Sequence, residues 1–397
     1  MHVAILEPNA SGHRLVMVRY LLPALRALAR RVSFITSSNA LLSAEFAAHI
    51  APEAAPGEIV PIMPAVDPAG TGPVRRAWRL WRGWRDAVSS VQPDHVVVPT
   101  ADGALQIVGA LGGPPTTFPP TEVGLYRGAF AYSPVSPLAR LRAWLGLRAI
   151  ARSRFERVHF VDQFAHEMAV RAMPSSADRF RFAPDPIPPA LGLSRREARD
   201  RLGLPTEGRL LGSVGRQDRR KGVDHLLRAF AMAAHKPGDR LLLAGVQTPD
   251  IAATVASVRG RLAADRLLVI NRPLADAEIE TVIAALDVVS VVYPRHIGSA
   301  SFVLRAASAR RPVLGASFGW IGAMVSRYDL GWVVEPTDIG ALAHAIERAL
   351  NGAGDYIPTA QAIAWVASHT VRAYQQAWTA LLKQRLGMSS AEGSDGL

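Results

Sequence analysis

Apolar runs alternate with amphipathic helical patterns along most of the chain, and this alternation constrains the fold more than any other sequence feature. Strands that are separated by helices are typical of parallel sheets with helices on both faces. We therefore predict an α/β protein built from doubly wound sheets. The predicted strands are residues 2–8, 32–37, 59–63, 95–99, 116–118, 158–162, 209–214, 240–244, 267–271, 288–293, 312–316 and 331–334. The predicted helices are residues 14–29, 74–91, 137–153, 163–172, 222–234, 251–262, 276–286, 301–309, 321–328 and 339–350.

A proline-rich stretch, FAPDPIPPALGL at residues 182–193, interrupts the alternation near the middle of the chain. Its prolines exclude a helix or a central strand, so we place the connection between two domains there. Ligands of open α/β sheets bind beyond the carboxyl ends of the strands, and two such domains imply a cleft. We predict domains at residues 1–185 and 186–358, a C-terminal helix at 359–386 that is a candidate to pack back on the first domain, and a disordered tail at 387–397.

Composition limits the classes of site and partner. The chain has no cysteine, which excludes a disulfide framework and a thiolate metal site. Its net charge of +12 favours anionic partners such as nucleotides or acidic lipid surfaces. No stretch approaches the ~20 apolar residues of a membrane span, and the first residues lack the basic region of a signal peptide. We therefore expect a cytoplasmic protein.

The sequence LLGSVGRQDRRKGVDHLLRAF places several cations between a predicted strand and a predicted helix. The strand ends at Gly215, and Arg216 and Lys221 follow before the helix begins. Arginine offers a bidentate fork and lysine a point charge, so this loop suits a diphosphate, with a solvated basic turn as the alternative. The first strand ends similarly at EPNASGHR, where Gly12 and His13 lie before a helix and suit an anion. An ordinary turn with a solvated histidine is the alternative there.

The segment VGRQDRRKGVDHLLRAF resembles the phosphate-binding segment of the family 4 retaining glycosyltransferases, which have the GT-B fold. RDRLGLP, LLLAG, AEIETVIAALDVVSVVYP, RPVLGASFGWIG and LGWVVEPTD resemble further segments of that family. The resemblance covers most of residues 199–350 and reaches the first domain only loosely. It implies two Rossmann-like doubly wound domains that face each other across a cleft, with the acceptor on the first domain and the nucleotide-sugar donor on the second.

The resemblance also implies roles for individual residues. Arg216 and Lys221 match the pair that grips the donor's diphosphate and stabilises the departing nucleotide diphosphate, so they are the predicted catalytic residues. Such enzymes transfer a sugar with retention and need no essential metal, and we expect no cofactor besides the nucleotide-sugar substrate. The predicted donor-binding residues are Gly12, His13, Gly215, Arg216, Lys221, Asn271, Arg272, Gly298, Ser299, Ala300 and Arg305.

The stretch VYPRHIGSASFVLRAASARRPV departs from the family's pattern. The family usually carries two glutamates there, one for the donor sugar and one for the nucleotide ribose. This chain has Ile297 and Arg305 at the matching positions. An isoleucine cannot hydrogen-bond, and Arg305 can add a cation to the phosphates but cannot accept hydrogen bonds from the ribose hydroxyls. Backbone N–H groups of the loop at 298–300 are then the expected contacts, unless the loop is an ordinary turn.

Two features of the first domain concern the acceptor. RRAWRLWRGWR places Trp78, Trp81 and Trp84 on one helical face with arginines around it. This pattern within residues 74–88 is typical of a helix that binds an anionic membrane surface. It fits single-stranded nucleic acid less well. The alternative is that the tryptophan face is buried in the core and the arginines are solvated. PPTEVGLYRG is predicted to be a loop at strand ends. The predicted acceptor-binding residues are Glu122, Tyr126 and Arg127.

The leading hypothesis is a cytoplasmic glycosyltransferase of the hexosyltransferase type, acting on a glycan or lipid-linked acceptor in polysaccharide biosynthesis. It is a candidate for peripheral binding at the inner face of the membrane, with no nucleic acid as partner. The alternative is a catalytically silent, glycosyltransferase-like binding or scaffold protein, which the missing glutamates favour. A third hypothesis is another GT-B enzyme, such as an epimerase or hydrolase. The retained pair Arg216 and Lys221 favours an enzyme.

Overall fold

The computed structural model describes residues 1–10, 13–64, 72–132 and 136–388. The chain forms two compact units, one containing Met1–Pro184 together with the chain from Val371 onward, the other Asp185–Thr370. Each unit is built on one parallel sheet with helices on its faces, so the predicted α/β class with two Rossmann-like, doubly wound domains is confirmed. None of the helices within the described ranges has the length and hydrophobicity that a membrane span requires.

The sheet of the first unit has seven strands in the order β3-β2-β1-β4-β5-β6-β7. Side chains alternate between its faces: Ala4 and Leu6 join one core, whereas Val3 and Ile5 join the other. The strands are β1 His2–Leu6, β2 Arg31–Ser37, β3 Ile59–Met63, β4 His95–Val98, β5 Thr121–Leu125, β6 Arg157–Phe160 and β7 Phe180–Phe182. The helices before the second unit are α1 Arg14–Arg26, α2 Ser38–Leu41, α3 Ala44–His49, α4 Pro73–Val91, α5 Leu105–Ala110, α6 Pro137–Arg152 and α7 Gln163–Ala172, with 3₁₀ turns at Ala129–Ala131 and Pro174–Arg179.

The sheet of the second unit has six strands in the order β10-β9-β8-β11-β12-β13. The strands are β8 Leu210–Val214, β9 Arg240–Ala244, β10 Leu267–Ile270, β11 Val288–Val291, β12 Val313–Ala316 and β13 Gly331–Val334. The helices are α8 Arg195–Leu202, α9 Val223–Met232, α10 Pro249–Arg259, α11 Asp276–Ala285, α12 Ser301–Ser308, α13 Gly319–Arg327, α14 Ile339–Gly352 and α15 Ala360–Ala367, with a 3₁₀ turn at Arg219–Lys221. Helix α16, Val371–Arg385, belongs to the first unit.

The predicted strand at residues 116–118 is wrong. Those residues form a turn, and the strand is β5, Thr121–Leu125, after two prolines. All five residues of β5 are buried, including Glu122, the second residue of the strand. A charged residue inside a short strand hides the apolar pattern on which sequence prediction depends, because buried glutamates are rare unless they are paired.

The predicted single helix at 359–386 is two helices, α15 and α16, separated by three residues that end in Thr370. Trp365 of α15 stacks on Tyr328 of the second unit with ring centroids 4.6 Å apart. Trp378 of α16 stacks on His159 of the first unit at 4.1 Å. The predicted boundary at residue 358 therefore differs from the structure, because α15 packs on the second unit and the chain returns only after Thr370.

Candidate functional site

The strand order of the second unit reverses between β8 and β11, which lie side by side. Loops that leave two such strands in opposite directions open a crevice at the carboxyl edge of the sheet, and ligands of α/β proteins bind there. The loop after β8 contains residues 215–222, and the loop after β11 contains residues 292–300. These two loops include most of the predicted donor residues.

The loop after β8 is fixed by its own backbone. Gly215 has a φ of +83°, and a side-chain carbon at this position would lie 2.8 Å from Nζ of Lys221 and 2.9 Å from the ring of Phe302. The buried Gln217 amide donates to the carbonyl oxygens of Gly215 at 2.6 Å and Ala244 at 3.1 Å. A glycine is therefore required at residue 215, and Phe302 of α12 lies directly beside the loop.

Lys221 is buried at this edge, unlike a typical surface lysine. Its Nζ donates to the carbonyl oxygen of Val214 at 2.6 Å and lies 4.4 Å from the ring centroid of Phe302 and 5.5 Å from that of Tyr293. Burial, with a smaller contribution from the Arg220 guanidinium, lowers the pKa of Lys221 to about 7. The ammonium is thus held against two aromatic rings, and no carboxylate of the described residues pairs with it, a setting in which an anion would be bound strongly.

Arg216 precedes Lys221 by five residues in the same loop but is solvent-exposed. Two-thirds of its side chain is accessible, and its Nε lies 3.7 Å from the Asp218 carboxylate. That carboxylate also accepts the backbone N–H of Lys221 at 3.1 Å, which caps the 3₁₀ turn. Of the two predicted catalytic residues in this loop, Arg216 is therefore exposed and Lys221 is buried.

The loop after β11 contacts the loop after β8. A side-chain carbon at Gly222 would lie 2.3 Å from the carbonyl oxygen of Val292, so the two backbones meet there. Farther along, Gly298 has a φ of +99°, and Ala300 is the residue before α12. The Ser299 hydroxyl donates to the buried Asp185 carboxylate at 2.6 Å. Asp185 comes from the proline-rich connection, and sequence analysis missed its contact with this loop.

Arg305 is held by carboxylates of the neighbouring helix α11. Its guanidinium donates to the buried Glu280 and lies 3.8 Å from Asp276. Burial raises the pKa of Glu280, and the charge of Arg305 opposes that rise. The donor-binding role of Arg305 stays a prediction, but its observed contacts explain why an arginine is present: it neutralises a buried acid on the adjacent helix.

Asn271 and Arg272 follow β10, which β9 separates from β8. The Asn271 side-chain oxygen accepts the backbone N–H of Gln247 at 2.9 Å. Arg272 is exposed and forms a two-point ion pair with Glu278, with distances of 2.6 and 3.1 Å. These residues lie along the same carboxyl edge as the loop after β8, and their part in a nucleobase pocket stays a prediction.

The first unit has its own reversal of strand order, between β1 and β4. Gly12, predicted in the loop after β1, lies outside the described residues. The Arg14 guanidinium bridges the two strand ends, donating to Glu7 at 3.3 Å and to the Thr100 hydroxyl at 3.0 Å. Glu7 is fully buried, and this burial raises the pKa of its carboxyl to about 7. Sequence analysis missed Glu7 and Arg14 as a pair, although both flank the segment that it singled out.

Three predicted residues lie together at this edge. The rings of His13 and Tyr126 have centroids 5.1 Å apart. The partly buried Asp102 carboxylate accepts the backbone N–H groups of Tyr126 at 3.0 Å and Arg127 at 2.7 Å. Asp102 thus fixes the turn after β5, from which the exposed Arg127 extends. This turn therefore carries two predicted acceptor residues, Tyr126 and Arg127, and the predicted donor residue His13 lies against Tyr126.

The predicted acceptor-binding role of Glu122 is wrong. Glu122 lies inside β5 and is fully buried, with its carboxylate accepting hydrogen bonds from His95 of β4 at 2.9 Å and His159 of β6 at 2.8 Å. Burial raises the pKa of this carboxyl, but the hydrogen bonds from His159 and His95 outweigh it and hold the pKa at about 2. The Glu122 carboxylate therefore links β5 to the strands on both sides, β4 and β6, and is not accessible to solvent.

The membrane interpretation of the tryptophan stripe is wrong for two of its three members. Trp81 and Trp84 are buried in the core beneath α4, and their ring centroids lie 6.2 Å apart. Trp81 also packs on Phe118 at 5.7 Å. Only Trp78 of this stripe is substantially exposed, at 50%. The stripe is therefore mainly the inner face of an amphipathic helix.

In the described ranges no group of three or more histidine, aspartate or glutamate side chains is placed to hold a metal ion. The expectation that the chain needs no metal stays a prediction.

Comparisons with known proteins agree with this architecture. Residues 194–363 match the family described as Glycosyl transferases group 1. The D-inositol 3-phosphate glycosyltransferase of Mycolicibacterium smegmatis is 34% identical over 191 residues, which is 44% of this chain and 41% of that protein. The enzyme of the same name from Mycobacterium tuberculosis (strain F11) is 33% identical over 166 residues, which is 40% of this chain and 32% of that protein. The matches thus span less than half the length of these curated relatives.

Solved structures match over nearly the whole chain. The crystal structure of Anabaena HepE in complex with UDP has a TM-score of 0.68 at 16% identity, covering 97% of this chain and all of that one. Sucrose-phosphate synthase from Thermosynechococcus elongatus has a TM-score of 0.66 at 18% identity, covering 98% of this chain and all of that one. At such identities the likeness shows the fold alone. The chain therefore has the two-domain GT-B fold, as predicted, and residues 194–363 of its second unit are similar to the glycosyl transferases group 1 family.

Proposed function

We propose that this protein is a glycosyltransferase that moves a sugar from a nucleotide-sugar donor to a glycan or lipid-linked acceptor. The observation that carries the proposal is the buried ammonium of Lys221 at the strand-order reversal of the second unit, beside the exposed Arg216. Curated relatives of this unit are named as glycosyltransferases. The structural neighbour HepE is described with UDP and with UDP-glucose, so uridine nucleotides are the first donors to try.

The two cations suit the departure of a nucleoside diphosphate. When the bond between the sugar's anomeric carbon and the phosphate oxygen breaks, negative charge develops on the diphosphate. An ammonium that is already in place stabilises this charge without reorganisation, and it is most effective where water is excluded. The only acceptor seen for Lys221 within the described chain is the neutral Val214 carbonyl, so further N–H donors remain for phosphate oxygens.

The loop after β11 has no acidic side chain of its own to accept hydrogen bonds from the donor sugar. Asp185 brings a buried carboxylate to this loop through Ser299. We propose that this carboxylate and the backbone N–H groups of residues 298–300 contact hydroxyls of the donor. In this arrangement the acid comes from the connection between the units, and Ile297 needs no polar role.

A catalytically silent binding protein remains the second candidate. The observation that favours it concerns Arg305, which stands where the family usually has a glutamate. Arg305 forms an ion pair with Glu280 that serves the structure of the unit. Retention of configuration, cytoplasmic location and a role in polysaccharide biosynthesis stay predictions.

The proposal is tested by binding and turnover together. Purified protein is screened by thermal shift against UDP, GDP and ADP and their common sugar conjugates, with membrane and glycan extracts as acceptors. We expect one nucleoside diphosphate at about 100 times its Kd to stabilise the protein by about 2.7 kcal/mol, and transfer of radiolabelled sugar from its conjugate. Stabilisation without transfer to any acceptor would support the silent binding protein. A protein that no nucleotide stabilises would contradict both candidates.

Binding of the nucleoside diphosphate should weaken as the pH rises above 7. In the protein without bound nucleotide, the pKa of Lys221 is about 7. A bound diphosphate favours the charged form of this side chain, so binding above pH 7 takes up a proton. The Kd measured by titration calorimetry should then rise by up to about 10-fold per pH unit above pH 7. The variant Lys221→Met should bind weakly with no such dependence. A wild-type Kd that stays constant from neutral to alkaline pH would contradict the proposed contact.

A further inference from the structure

Helix α6 carries large apolar side chains on its outer face. Leu138, Leu141, Trp144 and Leu145 are exposed by 56, 51, 43 and 49%. Their spacing places them on one side of the helix, while Leu147 and Ile150 on the other side are buried in the core of the first unit. Single exposed leucines are ordinary on protein surfaces, but a contiguous apolar face of this kind is typical of an interaction site.

Arginines surround this face. Helix α6 has the sequence PLARLRAWLGLRAIAR, with four arginines and no acidic residue. The Arg148 guanidinium lies 5.0 Å from the ring centroid of Trp144. Nowhere in the described part of the chain does an ion pair join an acid to Arg140, Arg142, Arg148 or Arg152. The helix therefore offers apolar side chains together with uncompensated positive charge.

We propose that α6 docks the first unit onto an anionic lipid surface. Leucine and tryptophan side chains enter the boundary between headgroups and acyl chains, while arginines reach the phosphates. A second copy of the chain fits this face less well, because self-pairing would bring two sets of arginines together without any acid between them. The tryptophan stripe of α4 is not the lipid contact, since Trp81 and Trp84 are buried.

The position of α6 gives this docking a consequence for the acceptor. The 3₁₀ turn Ala129–Ala131 follows Tyr126 and Arg127 closely and contacts α6. The exposed apolar residues lie within the first nine of the sixteen residues of α6, toward the end that is nearest the carboxyl edge of the sheet. Docking would therefore place the candidate acceptor residues beside the lipid headgroups. This consequence, though not the docking itself, rests on the proposed function with a lipid-linked acceptor.

Vesicle sedimentation of the full chain tests the proposal. We expect binding to phosphatidylcholine vesicles that contain about one third phosphatidylglycerol, and little binding to phosphatidylcholine alone. The double variant Leu141→Ser with Leu145→Ser should bind at least about 10-fold more weakly, because each leucine loses its transfer into the apolar layer. Arg140→Gln with Arg142→Gln should weaken binding by about 10-fold and reduce its salt dependence.

The matched control is Met232→Ser, which removes a side chain exposed by 66% on α9 of the second unit. It should leave vesicle binding unchanged, and all variants should keep the wild-type melting temperature because they alter exposed residues. Three outcomes would overturn the proposal: a wild type that ignores anionic vesicles, a leucine variant that binds as well as wild type, or self-association that the leucine variant abolishes. Nucleotide binding is measured on the same samples, so that a failure of lipid docking can be told apart from a failure of the proposed glycosyltransferase function.

Discussion

Replacing Lys221 by methionine is expected to lower the rate of sugar transfer by about 10²–10³-fold, the usual effect of removing one preorganised donor to a developing negative charge. The side chain is buried against Phe302 and Tyr293, so no solvent cation can take its place. Methionine has a similar length and fills the same space. Transfer is measured as radiolabelled product under saturating donor, with the conjugate that the nucleotide screen identifies.

Loss of activity in this variant should not come from unfolding. A buried ammonium costs free energy, so an apolar side chain of the same shape should leave the melting temperature equal or higher. Lys236, which is exposed in the same unit, provides the control: Lys236→Ala should retain full activity. A Lys221→Met protein that is folded and transfers sugar within about 3-fold of the wild-type rate would show that the leaving diphosphate is stabilised elsewhere.

The second large effect concerns stability. Replacing Glu122 by alanine should lower the free energy of unfolding of the first unit by about 3–5 kcal/mol, the usual result of breaking a buried ionic group. The substitution removes the shared partner of His95 and His159 and leaves both imidazoles without it inside the sheet. Because Trp378 stacks on His159, its fluorescence should report the transition during urea unfolding.

Two variants calibrate this effect. Glu122→Gln keeps the shape and part of the hydrogen bonding, so its destabilisation should be smaller than that of the alanine variant. Glu156, just before β6, is an exposed acid that pairs with Arg385 of α16 at 3.2 Å. Glu156→Ala should lower the free energy of unfolding by less than about 1 kcal/mol. An unfolding midpoint for Glu122→Ala that equals that of Glu156→Ala would contradict the structural role of the buried cluster.

The fold could be predicted from the sequence wherever an element carries a clean period. Strand β9 and helix α7 were predicted with the bounds that the structure gives them. Strand β5 was missed because its second residue is a glutamate. The burial of this carboxylate depends on histidines in two other strands. The break between α15 and α16 was missed because both helices are amphipathic and no proline or glycine separates them.

The candidate site could be predicted only in part, because its chemistry depends on contacts between distant segments. The order of Gly215, Arg216 and Lys221 after a strand gave the location of the diphosphate loop. Nothing in that order showed that Lys221 is buried while Arg216 is exposed, since α12 supplies the covering ring. The partner of Arg305 on α11 and the contact of Asp185 with Ser299 likewise join segments far apart in sequence.

The return of α16 to the first unit determines the order in which the units can mature on the ribosome. The second unit is a continuous stretch, Asp185–Thr370, so it can fold as soon as that stretch has emerged. The first unit lacks Tyr374, Trp378 and Leu382 of its core until α16 is synthesised. The segment made first is therefore completed last, and a nascent chain stalled before Val371 should expose the apolar surface that α16 covers to chaperones and proteases.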